Sequence, residues 1–412
     1  MISYNKALKI LKKSKINIRE EIVDVKKSIN RVSSKDIYTN VKYPSANNSA
    51  MDGIAIRSSD TTGLSKKKYK EFKIIKRIVA GDNPKIKNFK KFQVVEIMTG
   101  ALIPKQLDSV IPFEKIEYTK NKKSIIIKNF VRKSSNIRLC GSDYRKKEIL
   151  IKKGTIVDNS HILAFKSLGI EKIYVKKKPN VLFFSTGNEL SNKVKIPNWK
   201  IRNSNSYYIE SLSENFLFNY INGGILKDND EKKFKKILLK MLKKKNIDLI
   251  LSSGAVSAGK SDFIPSVIKT FKLLKKFKGV YMRPGKPILF AKFKSFNKVF
   301  FGLPGNPIST AACFRFFVYP YLSFIMGLKS EKPMIAKLNN VFKKRKIYTK
   351  FVKSKLFTTK DGITKINILS GQESFRIKSF IESNVWSVLK AGKIRFKKGD
   401  LVECFSALRP NK

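Results

Sequence analysis

The chain of 412 residues carries 88 Lys and Arg against 30 Asp and Glu, a net charge of +58, and 42% of its residues are hydrophobic. That hydrophobic share lies in the globular range and excludes wholesale disorder, while the length predicts about two to four domains. The charge alone is typical of a nucleic-acid binder. Because the lysines are spread along the chain, compositional drift towards lysine explains the excess better.

Cysteine and histidine usage limits the chemistry further. Cysteines occur at Cys140, Cys313 and Cys404, and His161 is the only histidine. Such wide spacing excludes a disulfide framework and a zinc site built on a Cys-x-x-Cys pair. The N-terminus lacks the apolar segment of a signal peptide. This feature and the cysteine spacing together predict a reducing, cytoplasmic location.

The apolar stretch at residues 308–328 is long enough to be considered as a membrane span. Arg315 lies near its centre, and Pro320 follows. A central arginine is costly in lipid, so we expect a buried core helix and no membrane association.

The first 178 residues predict a helical start, a β-rich insertion and a return to mixed structure. Apolar positions at helical spacing predict a helix around residues 7–11, and the pattern resumes at residues 22–25 after a polar break. Short β-type runs follow at residues 72–75, 94–98, 110–113 and 124–127. A strand at 149–151 and a helix at 161–168 close this part of the chain.

From residue 179, apolar runs alternate with helical patterns. The runs are 181–184, 249–251 and 299–301, and helices are predicted at 204–220, 231–245 and 262–277. Alternating strands and helices indicate a doubly wound parallel sheet, and continuous apolar runs indicate strands buried on both faces. Further β-type runs at 352–356, 366–369, 386–389 and 401–405 predict a C-terminal β domain.

The predicted fold class is therefore α/β and β multidomain, in four regions. These are a helical or mixed N-terminal domain (1–43 with 141–178), a β-rich inserted domain (44–140), an α/β domain (179–330) and a C-terminal β domain (331–412). No repeat or low-complexity linker separates them.

Turns rich in glycine and serine follow the predicted strands of the α/β region. They are Ser185-Thr186-Gly187, Ser252-Ser253-Gly254, Pro284-Gly285-Lys286-Pro287 and Pro304-Gly305-Asn306-Pro307. Ligands of open α/β sheets bind beyond the carboxyl ends of the strands, and such turns let backbone N–H groups approach an anion. We expect an oxyanion or phosphate site at this edge of the sheet.

Residues 254–261 also fit the Gly-x-x-x-x-Gly-Lys-Ser pattern of a P-loop. A P-loop NTPase needs a further apolar strand that ends in a magnesium-binding Asp. The strand predicted at 299–301 ends in Gly302 instead, which disfavours the P-loop interpretation.

Acidic residues are scarce, so those retained in loops are candidate functional residues. They are Asp52, Asp143, Glu189, Asp228 and Asp262. Carboxylate oxygens of this kind suit Mg²⁺ beside a phosphate. For Asp228 and Asp262, capping of the helices that they precede is an equally good explanation.

Six motifs occur in the order typical of one family. They are Asn48-Ser49-Ala50-Met51-Asp52-Gly53, Met98-Thr99-Gly100-Ala101, Ser185-Thr186-Gly187-Asn188-Glu189-Leu190, Ser252-Ser253-Gly254, Pro284-Gly285-Lys286-Pro287 and Gly302-Leu303-Pro304-Gly305-Asn306-Pro307. With them, the chain closely resembles the molybdopterin molybdenumtransferases, the MoeA / gephyrin E-domain family, over nearly its whole length.

The resemblance implies a homodimer of four-domain chains, with a MoaB/Mog-like α/β domain and a C-terminal β-barrel-like domain. It implies that molybdate is inserted at the dithiolene sulfurs of adenylylated molybdopterin, that AMP is released, and that Mg²⁺ takes part. The implied partners are these small molecules, with transient contact to the adenylyltransferase that makes the substrate and to molybdoenzymes. Neither nucleic acid nor a membrane is an expected partner.

The matching positions imply roles for individual residues. Candidate catalytic residues are Asp52, Asp143, Glu189 and Asp262, and candidate Mg²⁺ ligands are Glu189, Asp228 and Asp262. Candidates for the pterin and phosphate cradle are Thr99, Gly100, Ser185, Thr186, Gly187, Ser252, Ser253 and Gly254. Candidates for anion binding are Arg138, Lys286 and Ser309, with Lys286 the first choice for molybdate.

The chain departs from the family's pattern at positions that are usually acidic. These positions hold Asn188, Asn203, Ser142 and Lys260. Either Glu189 and Asp262 suffice, or the chain has become a non-catalytic molybdopterin-binding scaffold. Molybdopterin adenylylation is a further alternative within the same fold, although the flanking domains argue against it. Because the loop acids survive, we favour retained transferase activity.

Overall fold

The computed structural model describes residues 1–215, 217–227, 230–243, 246–254, 270–271 and 273–407. Two compact units divide the chain. The large unit comprises Met1–Lys35, Lys153–Asn159 and Lys172–Lys412, and the small unit comprises Asp36–Lys152 and Ser160–Glu171. The predicted division into four regions is finer than this and stays a prediction.

The first part of the chain is mainly extended. In chain order its elements are α1 (Tyr4–Lys13), β1 (Glu20–Asp24), β2 (Ile37–Tyr38), β3 (Asn48–Ser49), β4 (Gly53–Ile56), β5 (Lys70–Ile78), β6 (Gln93–Ile97), β7 (Ser109–Pro112), β8 (Glu117–Tyr118), β9 (Ser124–Ile127), β10 (Ile137–Arg138), β11 (Ile149–Ile151), α2 (Asn159–Ser167) and β12 (Lys172–Lys176). The β-type runs predicted between residues 72 and 127 all lie in strands of this series.

Helix α1 forms because it has a serine cap and one apolar face. The Ser3 hydroxyl accepts a hydrogen bond from a first-turn N–H, and Ala7 and Leu11 are buried on one side. The helical pattern predicted for residues 22–25 is wrong, because residues 22–24 lie in β1. Strand β1 pairs antiparallel with the distant β12, and that pairing overrides the local pattern.

The small unit is built on a six-stranded sheet in the order β7-β4-β6-β5-β9-β8. Strand β4 is buried along its whole length. Apolar clusters cover both faces of the sheet, with Ala55 and Val95 in one cluster and Ile54 and Val94 in the other. The short pairs β10-β3 and β11-β2 add backbone hydrogen bonds outside this sheet and fix the loops that connect it.

The large unit continues with alternating strands and helices. In chain order they are β13 (Asn180–Thr186), β14 (Leu190–Ser191), β15 (Ile201–Arg202), α3 (Ser204–Asn215), β16 (Asn219–Leu226), α4 (Glu231–Lys243), β17 (Leu249–Ser253), β18 (Leu273–Lys278), β19 (Met282–Arg283), β20 (Leu289–Phe293), β21 (Val299–Leu303) and α5 (Pro307–Met326). The strands predicted at 181–184, 249–251 and 299–301 are therefore confirmed.

These strands form a six-stranded sheet in the order β16-β13-β17-β21-β20-β18. The first four are parallel, and β20 and β18 add an antiparallel edge. Successive residues of β13 enter different cores, with Val181 and Phe183 in one and Leu182 and Phe184 in the other. Burial on both faces explains the continuous apolar runs, and the predicted α/β class is confirmed.

Two predicted helices in this region are too long. The helix predicted for 204–220 ends at Asn215, because β16 begins at Asn219 and pairs with β13. The helix predicted for 262–277 is wrong at residues 273–277, which lie in β18 and pair antiparallel with β20. Residues 262–269 and 272 of that prediction lie outside the described residues.

Helix α5 is the predicted core helix. Two α-helical segments are joined by a π-helical segment, Phe314–Val318. The helix is long and apolar enough to cross a membrane, but 89% of its most apolar part is buried within the protein. Arg315 is itself buried, and its guanidinium donates to both carboxylate oxygens of Glu331 at 2.7 and 2.8 Å. The arginine is therefore paired where it is buried, and the helix packs within the protein core.

The end of the chain forms a closed β-barrel. Its elements are β22 (Met334–Leu338), β23 (Phe342–Lys343), β24 (Thr349–Thr358), β25 (Thr364–Ile368), α6 (Lys378–Glu382), β26 (Val385–Leu389), β27 (Arg395–Phe396) and β28 (Leu401–Ser406). The sheet order is β19-β24-β25-β22-β28-β26, and it closes because β26 also pairs with β24. The predicted barrel-like C-terminal region is confirmed.

Candidate active site

A cleft of about 350 Å³ lies beyond the carboxyl ends of β13, β17 and β21, and we call it the strand-end cleft. Its lining residues are Thr186, Glu189, Leu190, Ile201, Arg202, Asn203, Ser204, Asn205, Ser253, Gly254, Pro287, Pro304, Gly305, Asn306 and Pro307. This is the edge at which doubly wound sheets bind their ligands. All four predicted turns contribute lining residues, and the turn at 284–287 does so through Pro287 alone.

The floor of the cleft is a network of hydrogen bonds between neutral groups. The Ser185 hydroxyl donates to Asn203 Oδ1 at 2.6 Å, and the Thr186 hydroxyl donates to Ser253 O at 2.9 Å. All four residues are nearly fully buried. Buried polar groups whose bonds are all made hold a single geometry, so the network presents fixed dipoles to a ligand.

Asn205 joins two walls of the cleft. Its Nδ2 donates to Gly305 O at 2.7 Å and to Ser253 Oγ at 3.3 Å. It lies in the first turn of α3, which begins at Ser204 on the cleft surface. The unpaired N–H groups and the dipole of a helix N-terminus favour an anion there.

Gly254 allows the backbone of the second Gly-Ser turn to approach the cleft closely. Its φ is +90°, and a Cβ at this position would lie 2.4 Å from Thr186 Oγ1 and 2.5 Å from Thr186 O. Its N–H donates to Leu303 O at 2.9 Å, which ties the end of β17 to that of β21. Only glycine fits here without displacing its neighbours.

In the small unit, the predicted residues Asp52 and Thr99 are in contact. Thr99 donates to Asp52 Oδ1 from its backbone N–H at 2.6 Å and from its hydroxyl at 2.7 Å. Both bonds favour the ionised carboxyl group, so they hold the pKa of Asp52 below its ordinary value. Asp52 is therefore an exposed carboxylate in a fixed position.

The other predicted residues of the small unit belong to loops that meet the segment 43–53. The Gly100 N–H donates to the backbone of that segment at 2.9 Å, and the Asp143 N–H does so at 3.0 Å. Arg138 pairs with it in the β10-β3 ladder. We call Asp52, Thr99, Gly100, Arg138 and Asp143 the loop cluster. Its charged members are all exposed.

Comparisons with known proteins cover nearly the whole chain. A family model described as "MoeA N-terminal region (domain I and II)" matches residues 2–169, and one described as "Probable molybdopterin binding domain" matches residues 183–323. A molybdopterin molybdenumtransferase of Staphylococcus epidermidis is 31% identical over 408 residues, which covers 98% of this chain and 94% of the relative. The chain belongs to the molybdopterin molybdenumtransferase family.

Further relatives of the same family agree in sequence and structure. A molybdopterin molybdenumtransferase of Staphylococcus aureus is 31% identical over 388 residues, 92% of this chain and 90% of the relative. The crystal structure of a molybdopterin biosynthesis moeA protein from Pyrococcus horikoshii has a TM-score of 0.84 at 26% identity and covers 99% of both chains. The predicted family, and with it a place in molybdenum cofactor biosynthesis, is confirmed.

The magnesium ligands predicted from the molybdopterin molybdenumtransferase family are Glu189, Asp228 and Asp262. Glu189 lines the cleft as its one carboxylate among the described residues, while Asp228 and Asp262 lie outside the described residues. Within the described ranges, no three His, Cys, Asp or Glu side chains are grouped closely enough to hold a metal ion. The described residues alone do not fit a bound Mg²⁺.

Three further residues predicted from the family pattern lie near the cleft without lining it. Ser252 alternates with Ser253 along β17 and so points to the other face, where its buried hydroxyl has no partner among the described residues. Lys286 is exposed and directly precedes the lining residue Pro287. Ser309 is buried near the start of α5.

Sequence reasoning misses two residues of this molybdopterin molybdenumtransferase fold that shape the cleft. One is Asn205, whose signal was available, since two asparagines flank Ser204 at the start of a predicted helix. The other is Ser374, whose hydroxyl accepts a hydrogen bond from Asn306 Nδ2 at 2.9 Å. It comes from the C-terminal region and carries no local motif.

Proposed function

We propose that the protein inserts molybdate at the dithiolene sulfurs of adenylylated molybdopterin and releases AMP, giving molybdenum cofactor. The observation that carries the proposal is the strand-end cleft. It is a rigid cradle of N–H, hydroxyl and amide groups in a chain covered to 98% by a molybdopterin molybdenumtransferase. A substrate with a diphosphate and a polar heterocycle needs donors of this kind.

The phosphate end of the substrate is assigned to the N-terminus of α3 and to the turn at Gly254. Close approach of backbone N–H groups is possible there because Gly254 has no side chain. The hydroxyls of Thr186 and Ser253 are already fixed by buried hydrogen bonds. Their dipoles are thus in place before the ligand arrives, which lowers the cost of binding it.

Molybdate is a small dianion, and cationic donors should hold it. Lys286 stays the first choice, with Arg138 and Ser309 as further candidates. Both basic side chains are exposed and therefore accessible to a soluble anion. No side-chain nucleophile is needed, since the sulfurs that bind molybdenum belong to the substrate. Asp52 and Asp143 are proposed to position the attacking oxygen.

The proposal includes three finer features. A Mg²⁺ requirement is proposed, with Glu189, Asp228 and Asp262 as the carboxylates that would hold the ion beside the phosphates. A homodimer and a cytoplasmic location are proposed as well. Light scattering of the purified protein tests the first of these two, and a mass of one chain would contradict it.

The decisive experiment follows AMP release. Purified protein is incubated with adenylylated molybdopterin, molybdate and Mg²⁺, and AMP is measured over time. We expect AMP and molybdenum cofactor to appear together, and neither to appear when molybdate is left out. Binding of the substrate without AMP release would identify a scaffold. Formation of adenylylated molybdopterin from ATP and molybdopterin would identify an adenylyltransferase.

Magnesium dependence has its own matched pair of variants. Glu189→Gln removes the carboxylate that lines the cleft, and Glu210→Gln removes an exposed carboxylate on α3. We expect the first to raise the Mg²⁺ concentration at half-maximal rate by about tenfold or more, because one charged oxygen ligand is lost. The second should leave it unchanged. Equal curves for both variants would contradict a role for Glu189 in metal binding.

A further inference from the structure

A buried lysine on a strand of the C-terminal barrel holds a loop that reaches the cleft. Lys353 lies on β24, and only 1% of it is exposed. Its ammonium group donates to three backbone carbonyls of the loop 371–376, those of Gly371 at 2.6 Å, Arg376 at 2.9 Å and Glu373 at 3.3 Å. One charged donor thus fixes both ends and the middle of a single loop.

The same loop is tied to β24 by a second side chain. Gln372 Oε1 accepts from Lys353 N–H at 2.9 Å, and its Nε2 donates to Lys353 O at 2.8 Å and to Leu369 O at 2.8 Å. The side-chain amide of Gln372 thus bonds to both backbone groups of Lys353, as a neighbouring strand would. Six hydrogen bonds made by the side chains of Lys353 and Gln372 therefore hold this one short loop in place.

The loop 371–376 in turn contacts the Pro-Gly-Asn-Pro turn of the cleft. Ser374 O accepts from Ile308 N–H at 3.2 Å, one of the N–H groups that the helix α5 leaves unpaired at its start. Ser374 Oγ accepts from Asn306 Nδ2 at 2.9 Å. Next along that turn, Gly305 O accepts from Asn205 Nδ2 inside the cleft at 2.7 Å.

We propose that Lys353 is a positioning residue for the strand-end cleft: through the loop 371–376 and Ser374 it fixes the turn 304–308 against which the phosphate-bearing substrate binds. The inference rests on the proposed function for the identity of that substrate. By this proposal the barrel helps to fix the geometry of the cleft, although none of the described residues that line the cleft comes from the barrel. Lys353 touches no ligand and acts only through Ser374.

The charge state of Lys353 gives the proposal a distinctive readout. Burial lowers the pKa of Lys353 to about 8, with Glu373 raising it and Arg376 lowering it. Above that pH the ammonium group loses a proton and with it one donor and its charge. The loop should loosen over this range, and ligand binding should weaken. Arginine at the same position stays charged throughout.

Hydrogen exchange tests the positioning role without reference to activity. Lys353→Met keeps an unbranched side chain of similar length but removes all three donors. We expect the backbone N–H groups of residues 305, 306 and 308–310 to exchange about tenfold faster in this variant, while those of β13 are unchanged. The matched control is Lys344→Met, which removes another buried ammonium of the barrel, one that donates to Tyr348 O at 2.9 Å. It should leave residues 304–310 as in the wild type.

A second variant covers the case in which Lys353→Met fails to fold. Ser374→Ala removes only the hydroxyl that accepts from Asn306. It should accelerate exchange at residues 304–310 by a smaller factor, about threefold, and leave the rest of the loop 371–376 protected. Wild-type exchange at residues 304–310 in both variants would overturn the proposal.

Calorimetric titration with AMP at different pH values separates positioning from a purely structural role. For the wild type we expect the Kd for AMP to rise about threefold between pH 7 and pH 9.5, and for Lys353→Arg we expect it to stay flat. Parallel curves for the two proteins would overturn the proposal. A wild type that binds AMP but releases none from adenylylated molybdopterin refutes the proposed function alone, since the exchange and AMP results still decide the role of Lys353.

Discussion

The strand-end cleft and the loop cluster present polar groups in opposite ways. The cleft fixes side chains such as Ser185 and Asn205 by buried hydrogen bonds between neutral groups, and Glu189 is its one described carboxylate. The loop cluster holds exposed charges, among them Asp52, whose carboxylate is fixed by two hydrogen bonds from Thr99. The cleft offers mainly shape and dipoles, with Glu189 and Arg202 as its charged lining residues among those described, and the loop cluster offers mainly charge.

This difference shows that the large positive charge of the chain does not mark its site. An anion can be held by backbone N–H groups and hydroxyls whose positions are set in advance, and no lysine is among the described residues that line the cleft. Exposed charges act over longer distances and are screened by salt and water. Substitutions in the cleft should therefore weaken binding through geometry, and those in the loop cluster should slow the reaction through charge.

The largest effect is expected in the loop cluster, for Asp52→Asn. The change keeps the shape and removes the charge, so we expect kcat for AMP release to fall by at least ~10²-fold, the scale of losing a positioned catalytic group. Asp82→Asn is the matched control, because Asp82 is also an exposed acid of the small unit that accepts a backbone N–H, from Val79 at 2.9 Å. Equal rates in the two variants would remove Asp52 from the site.

In the cleft, Gly254→Ala should act through geometry. The new Cβ meets Thr186 at 2.4 Å, so the end of β13 must shift, at a cost of about 2 kcal/mol. We expect kcat/KM to fall about 30-fold, mostly through KM. Gly224→Ala is the control that separates contact with a neighbour from backbone strain. Gly224 has a φ of +84°, as unfavourable for alanine as that of Gly254, but open space surrounds its Cβ position. If both variants lose the same activity, backbone strain rather than contact with Thr186 is responsible.

A smaller loss is expected for Asn205→Ala, which removes the link between two walls of the cleft. The carbonyl of Gly305 loses its partner, and the loss of this partly buried hydrogen bond costs about 1 kcal/mol. KM should rise about tenfold with little change in kcat. Asn339→Ala, which breaks a side-chain hydrogen bond to Asn367 in the barrel, should leave KM as it is. A fall in kcat alone would argue that Asn205 does not shape the binding site.

How much of the fold could be predicted depended on whether a segment's partner was local. The buried strand at 181–184 reads as a strand on its own, because four consecutive apolar residues need cover on both faces. Residues 273–277 read Leu-Leu-Lys-Lys-Phe, a pattern that also suits one face of a helix. They form a strand because they pair with β20, and the sequence of the segment itself does not predict that pairing.

The residues of the site could likewise be predicted only where a local sequence feature marks them. Gly254 and its serines are recognisable because the geometry of a glycine turn after a strand is a local property. Ser252 and Ser253 are equivalent in sequence, and only the alternation of β17 decides which one faces the cleft. Ser374 contacts Asn306 across 68 positions, so no motif around either residue predicts the contact.

The mildest test concerns the hydrogen bonds that hold Asp52. Thr99→Val removes the hydroxyl donor and keeps the backbone one, so the pKa of Asp52 should rise towards its ordinary value. A lowered carboxyl pKa preserves the charge as pH falls. Without the hydrogen bond from the Thr99 hydroxyl, Asp52 becomes protonated at a higher pH, and activity that needs its carboxylate is lost there. At neutral pH, kcat should fall only about threefold. The acid limb of the kcat profile should therefore move to higher pH, whereas Thr119→Val, which removes an exposed hydroxyl bonded to Asn121, should leave it in place. An unmoved limb in Thr99→Val would mean that the charge of Asp52 does not limit the rate. The contrast between a cleft of mainly neutral groups and a charged loop cluster would then have to rest on Asp143.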